Sequence, residues 1–271
     1  LDDVNQLKDR LFPLLWQLPC ALLMTGRVCG ADWPVAAHCL SPLDRGSWTD
    51  FYRCYRTEPL ATEELQRLDA FCAGVEGNPL LMRLAVCSPE QPPALVAGNA
   101  DLTRYFIRRT LLSQTDLRAL RCLALLPASG METGRFLRAA GLRAAVLERL
   151  CAMSLVWVRP QDGESQCGLH PVIAESVRHC YPPTPENCRR FLRGMQAEYA
   201  HLWDEPYGAV IKAMPICFSL LNAWPTPRAW LADSYDTFAT VLWIGGYFGK
   251  SLQFMLRLYR SCEEHYGPVH Q

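Results

Sequence analysis

Apolar residues recur at helical intervals over most of this chain. In "VNQLKDRLFPLLW" they fall at Val4, Leu7, Leu11, Leu14 and Leu15, a spacing that keeps one helix face apolar, and Pro19 ends the run. "CALLMTGR" then reads as a short buried strand ending at Gly26-Arg27, and "PVAAHCLSPL" as another with a turn at Ser41-Pro42. That order over the first fifty residues is the rhythm of the later part of a parallel α/β sheet. From Thr62 the period is helical again, with Leu65, Leu68, Phe71, Cys72 and Val75 on one face. Gly77 ends this helix, and Asn78-Pro79 supplies an N-cap and first helical residue for "LLMRLAV". "SPEQPP" is a break or loop.

"LTRYFIRRTL" and "DLRALRCLALLPA" predict two further helices, the second stopped at Pro127. "METGRFLRAAG" is a short helix closed by Gly141, and "AAVLERLCAM" is another. It runs into "SLVWV", a strand by its branched and aromatic content. "RPQDGES" turns at Asp162-Gly163, "QCGLH" is the return strand, and Pro171 starts the helix "PVIAESVRHCY". Three helices followed by a hairpin is a winged-helix order. After the "PPTP" punctuation at Pro182 to Pro185 everything reads helical.

Composition narrows the function classes. Half of the 271 residues are apolar, enough for a real core. Formal net charge is zero, which argues against a nucleic-acid footprint, and no apolar run reaches the length of a membrane span. The thirteen cysteines show no C-x-x-C pair and no zinc-ligand spacing with His. They read as small buried hydrophobes in a reducing, cytoplasmic setting. The opening "LDDVNQLKDR", without Met, and the closing "EEHYGPVHQ" read as cut ends.

Four short motifs stand in one order. "LDDV" at Leu1–Val4 resembles the end of a Walker B strand, and "LLMTGR" at Leu22–Arg27 the next strand with its sensor arginine. "GNPLLMRLA" at Gly77–Ala85 resembles a G-x-P helix start, and "GLHPVIAESVR" at Gly168–Arg178 a histidine motif closing a winged helix. "HCLSPLDRGSWTDFY" resembles the loop and helix after the sensor. Together they resemble the NB-ARC-type signal-transduction ATPases of the STAND class, especially bacterial ones followed by tetratricopeptide repeats.

The resemblance implies a mainly α (α+β) fold in four parts. These are the C-terminal remnant of a P-loop NTPase α/β sheet over 1–56, a small helical domain over 57–100, a winged helix over 101–182 and tetratricopeptide-like hairpins over 183–271. It also implies roles. Asp2 would hold Mg²⁺ and Asp3 would polarise the attacking water, since a strand-end carboxylate can bind the metal against the phosphates of ATP. Asp3 equally suits a helix N-cap. Arg27 would meet the γ-phosphate, or be a solvated strand-end residue. Gly77 and Pro79 would form a turn whose proline ring packs on adenine, or a plain helix–helix junction. His170 would contact the β-phosphate of ADP, or merely cap its helix. Leu169-His170-Pro171 lacks the acidic residue that plant and animal members carry after the histidine.

No G-x-x-x-x-G-K-[ST] precedes Asp2. The chain alone is therefore expected to bind and hydrolyse ATP poorly, while a full-length protein would be a slow ATPase switch. "WIGGYFGKSLQ" ends like a phosphate loop at Gly249-Lys250-Ser251, but Ile244 stands where its first glycine belongs. It fits a tetratricopeptide repeat better. Gly246 is then the inter-helix glycine, Tyr235, Phe238, Ala239 and Leu242 line the first helix, and Phe248, Ser251, Leu252, Met255 and Leu258 the second. Lys250 is then solvated, and Ser251 is the small residue where the helices cross. The functional expectation is an ATP/ADP switch whose repeats dock a protein or peptide partner and which homo-oligomerises with ATP. The alternatives are a non-enzymatic winged-helix and repeat scaffold, or a DNA-binding regulator. Arg149 as the only cation of "AAVLERLCAM" argues against the last.

Overall fold

The computed structural model describes residues 43–55, 61–87, 99–161 and 163–267, with Gln17 and Ser41. The chain divides into two compact units, Leu1–Ser41 and Pro42–Gln271. The helix and strands expected ahead of Ser41 fall in the first unit and lie outside the described residues, as does the "SPEQPP" break.

The second unit is mainly helical with one small sheet. It opens with α1 (Arg45–Tyr55), α2 (Thr62–Gly74), α3 (Pro79–Cys87) and α4 (Asn99–Arg109). There follow α5 (Gln114–Leu123), β1 (Met131–Glu132), α6 (Thr133–Ala140), α7 (Ala144–Ala152), β2 (Trp157–Gln161), β3 (Glu164–Gly168) and α8 (Pro171–Cys180). The last group is α9 (Arg189–Tyr199), α10 (Tyr207–Leu221), α11 (Ala232–Ile244) and α12 (Phe248–Tyr266). Among the described residues no helix is long and apolar enough to cross a membrane.

Local signals explain most element ends. Ser47 N donates to Asp44 Oδ1 at 3.0 Å, capping α1. A capping box opens α5: Asp116 N donates to Ser113 Oγ at 3.2 Å, and Ser113 N to Asp116 Oδ2 at 2.9 Å. Gly141, left-handed at φ 60°, closes α6, with Leu142 N donating to Leu137 O at 2.9 Å. The sheet is antiparallel in the order β1-β3-β2. Gln161 pairs with Glu164, so a two-residue loop joins β2 and β3, and Gly163 takes φ 81° in it.

Three sequence expectations shift. The α5 helix stops at Leu123, short of Pro127. The "SLVWV" strand begins only at Trp157. Ser154 sits left-handed at φ 61°, Ser154 N donates to Cys151 O, and Leu155 N donates to Leu150 O. A helix stop of the Schellman kind thus takes up residues that composition favours for a strand. The return strand is Glu164–Gly168, so Leu169 and His170 have already left it. β1 is two residues long and offers no period to detect.

The helices of the last group pack in series. α9 crosses α6 where Gly194 meets the backbone of Ala139, too close for any Cβ. Phe136 and Phe191 pack at a tilt of 58°, with ring centroids 5.7 Å apart. Arg138 grips Glu198 through two bonds of 2.8 and 2.9 Å. α11 packs on α9, α10 and α12. Tyr235, Phe238, Ala239 and Leu242 are buried on α11, the face expected. On α12 the buried residues are Ser251, Phe254 and Leu258, whereas Phe248 and Leu252 are 53% and 55% exposed. The inward stripe of α12 is 251, 254 and 258: Phe254 packs on Tyr235 with ring centroids 5.4 Å apart, and the Ser251 hydroxyl donates to Ala239 O at 2.8 Å.

Cys72, Cys122, Cys167, Cys188 and Cys217 are buried and free. Burial pushes the thiol of Cys72 up to about 11 and that of Cys167 to about 12, which leaves them protonated and inert at neutral pH.

Candidate functional site

Gly77 and Pro79 stand in the joint between α2 and α3. Gly77 N donates to Cys72 O at 2.9 Å and Glu76 N to Ala73 O at 3.3 Å, the paired bonds of a Schellman stop. Glu76 and Gly77 are both left-handed, at φ 53° and 66°. A Cβ on Gly77 would lie 2.5 Å from Leu43 O, a backbone atom with no freedom to yield. Asn78 Oδ1 accepts from Leu80 N at 3.1 Å and Leu81 N at 3.3 Å, and Pro79 follows as the first helical residue. Gly77 is buried against Leu43, while the Pro79 ring stays on the surface.

His170 is the N-cap of α8. Its Nδ1 accepts from Val172 N at 3.3 Å, and Pro171 follows at the first helical position. A ring nitrogen that accepts carries no proton, so the neutral ring bears its proton on Nε2. The residue is exposed, yet enough of the ring is covered to lower its pKa from the ordinary histidine value. At neutral pH Nε2 is thus an uncharged N–H donor.

Among the described residues no hydrogen bond, ion pair or ring contact joins His170 to the Gly77–Pro79 turn. Asp2, Asp3 and Arg27 lie outside the described residues. No three His, Cys, Asp or Glu side chains among the described residues gather as a metal site.

A different residue ties the G-N-P helix to the hairpin that leads to His170. Arg83 Nε donates to Ser154 Oγ at 2.8 Å, and Ser154 Oγ reaches Cys87 Sγ at 3.1 Å. The Arg83 guanidinium also lies over the Tyr55 ring, 4.9 Å from its centroid. One side chain thus links α1, α3 and the turn between α7 and β2. Sequence reading passed over Arg83, although a lone cation in the apolar run "PLLMRLAVC" was the available signal.

Arg149, the only cation within α7, is engaged. Its Nη2 and Nε donate to Asp116 Oδ1 at 2.5 and 3.1 Å, and Asp116 is buried. This helix therefore presents no basic face to a nucleic-acid groove. Gly249-Lys250-Ser251 lies in the first turn of α12 and is preceded by the helix α11, where a phosphate loop requires a strand.

No protein-family model matches the chain, and no curated protein matches it. Among solved structures it is similar to the crystal structure of a signal transduction ATPase with numerous domains (STAND) protein with a tetratricopeptide repeat sensor from Pyrococcus horikoshii. The identity is 16% and the TM-score 0.39. The alignment covers 84% of this chain and 42% of that one, so the chain spans less than half the length of that structure.

Proposed function

We propose that the chain serves an ATP/ADP-switched signal-transduction regulator of the STAND class, cytoplasmic, with a winged helix over 101–182, from α4 to α8, and tetratricopeptide-like hairpins over 183–271, from α9 to α12. The observation that carries this reading is the state of His170. It follows a three-stranded sheet in the order helix, strand, helix, helix, strand, strand, and its cap bond leaves Nε2–H as the donor of an exposed residue. A neutral donor of that kind suits a phosphate oxygen of ADP. The exposed Pro79 ring suits an adenine face. Gly77 acts through its backbone, by allowing the close approach to Leu43 that fixes where Pro79 stands.

Bound Mg²⁺ would supply charge neutralisation at the phosphates, and Asp2 is the residue of this chain assigned to it. In this reading Asp3 polarises water and Arg27 contacts the γ-phosphate. The hairpins dock a protein partner, and the ATP state homo-oligomerises.

The scaffold reading draws on one specific observation. The Gly77–Pro79 turn and the His170 cap both satisfy local backbone needs without any nucleotide. ADP dissociation from the full-length protein separates the two readings. A faster off-rate in His170→Ala than in the unmodified protein supports the switch, and an unchanged rate with an intact fold supports the scaffold.

A further inference from the structure

The Lys250 of the incomplete phosphate-loop pattern lines a groove of about 380 Å³ between α10 and α12. Leu221 and Leu242 form its buried floor, with the Phe218 and Phe254 rings on either side. Its polar lining is Lys250, Arg257, Gln253 and Asn222, with no carboxylate. Lys250 and Arg257 join no ion pair among the described residues, and both are exposed. Arg257 lies over the Phe254 ring, 5.0 Å from its centroid. Arg257 lies seven positions after Lys250, so they share a face of α12 about 10 Å apart, with Phe254 between them.

We propose that this groove between α10 and α12 is a docking site for an amphipathic helical segment of a partner protein that carries two acidic side chains two turns apart and an apolar one between them. The charge complement is direct: two unpaired cations face outward beside an apolar floor, and no anion of the groove competes for them. A helix laid in the groove sets an apolar residue on the exposed Phe218 while its carboxylates reach Lys250 and Arg257. Gln253 adds a neutral donor at the rim, while Asn222 Nδ2 donates to Phe218 O at 2.7 Å. Phe218, 43% exposed, gains cover from the same residue. The inference rests on the docking part of the proposed function and is independent of the nucleotide part.

The test uses the 271-residue chain without nucleotide, and a labelled helix-forming peptide with Glu, Leu and Glu at positions i, i+4 and i+7. Fluorescence anisotropy should show saturable binding that weakens with salt. The double variant Lys250→Glu/Arg257→Glu should bind at least about tenfold more weakly and should instead bind the peptide with both Glu replaced by Lys. Circular dichroism of the variant should match that of the parent, because both side chains are exposed. Absence of saturable binding, equal binding of the Glu and Lys peptides by the unmodified chain, or a dimer of the unmodified chain that Lys250→Glu/Arg257→Glu abolishes would each overturn the proposal. A nucleotide-insensitive His170→Ala variant would leave it standing.

Discussion

Arg149 grips Asp116 from the helix that a DNA-binding module would present to its ligand. The Asp116 carboxylate is buried, caps α5 through Ser113 and accepts from Arg149 Nη2 at 2.5 Å. Burial alone would raise its pKa, but the bonds from Arg149 and Ser113 outweigh burial and hold it below the ordinary value of 3.8. A depressed folded-state pKa stabilises the fold above the unfolded value. That contribution should therefore be complete above about pH 5 and fade as pH falls below about 4. Asp116→Ala removes the cap and the pair together and should cost about 2 kcal/mol, Arg149 being partly solvated. Urea unfolding of both forms at pH 7 and pH 3 should show the difference shrinking at the lower pH.

The Gly249-Lys250-Ser251 run makes opposite predictions for its last two side chains. Lys250 is exposed, so Lys250→Ala should change stability by no more than about half a kcal/mol and leave nucleotide behaviour of a full-length protein untouched. Ser251 is buried and donates to Ala239 O, so Ser251→Ala should cost about 1 kcal/mol. Thermal unfolding checks the two stabilities, and ATP binding by full-length Lys250→Ala separates this from a phosphate loop, in which the lysine change would abolish binding.

Where a residue type carries its own geometry, sequence reading located the element. Asn78-Pro79, Gly141 and Pro171 each mark a helix end that the structure contains. It failed where packing between helices or a helix stop without glycine set the outcome. Packing of Ser251, Phe254 and Leu258 against neighbouring helices defines the inward stripe of α12, and the helix stop at left-handed Ser154 moved the start of β2. A two-residue strand such as β1 exists only because β3 pairs with it. For the candidate site, sequence picked out the turn at Gly77 and the histidine at 170. It did not foresee that Arg83 would clasp Ser154, because a bond across 71 residues leaves no local period.

Glu76 and Gly77 form a matched pair of left-handed residues whose substitutions should have opposite signs. Gly77→Ala places a Cβ against Leu43 O and strains φ at once, so it should cost about 2–4 kcal/mol. Glu76→Gly removes a left-handed side-chain residue and should be neutral or stabilising by up to about 1 kcal/mol. Denaturant midpoints of the two variants check the sign. Equal losses for both would mean that the joint between α2 and α3 is not held by this geometry.

His170 has two separable duties in the proposed switch, and a pair of variants divides them. Asn is as good an N-cap as any side chain but lacks the imidazole N–H, so His170→Asn should keep stability within about half a kcal/mol while losing the phosphate donor. His170→Ala loses both and should cost about 1 kcal/mol of fold stability. Because partial burial lowers the His170 pKa, folding favours its neutral form. Its contribution is present above about pH 6.5 and is lost as pH falls toward the folded pKa, where protonation of Nδ1 removes the acceptor used by Val172 N. The stability difference between the unmodified protein and the His170→Asn variant should therefore shift on acidification in favour of the variant. A donor made to ADP in the closed state alone shifts the closed-to-open ratio by its own free energy. A hydrogen bond to a charged group is worth about 1.5–3 kcal/mol, so both variants should release ADP about ten- to a hundredfold faster in the full-length protein. They should also populate the oligomer without a signal. Asp2→Ala should act in the other direction, by weakening Mg²⁺–ATP and holding the protein off. If His170→Asn keeps the fold and leaves both ADP release and oligomer fraction unchanged, the histidine is a helix cap only, and the scaffold reading takes its place.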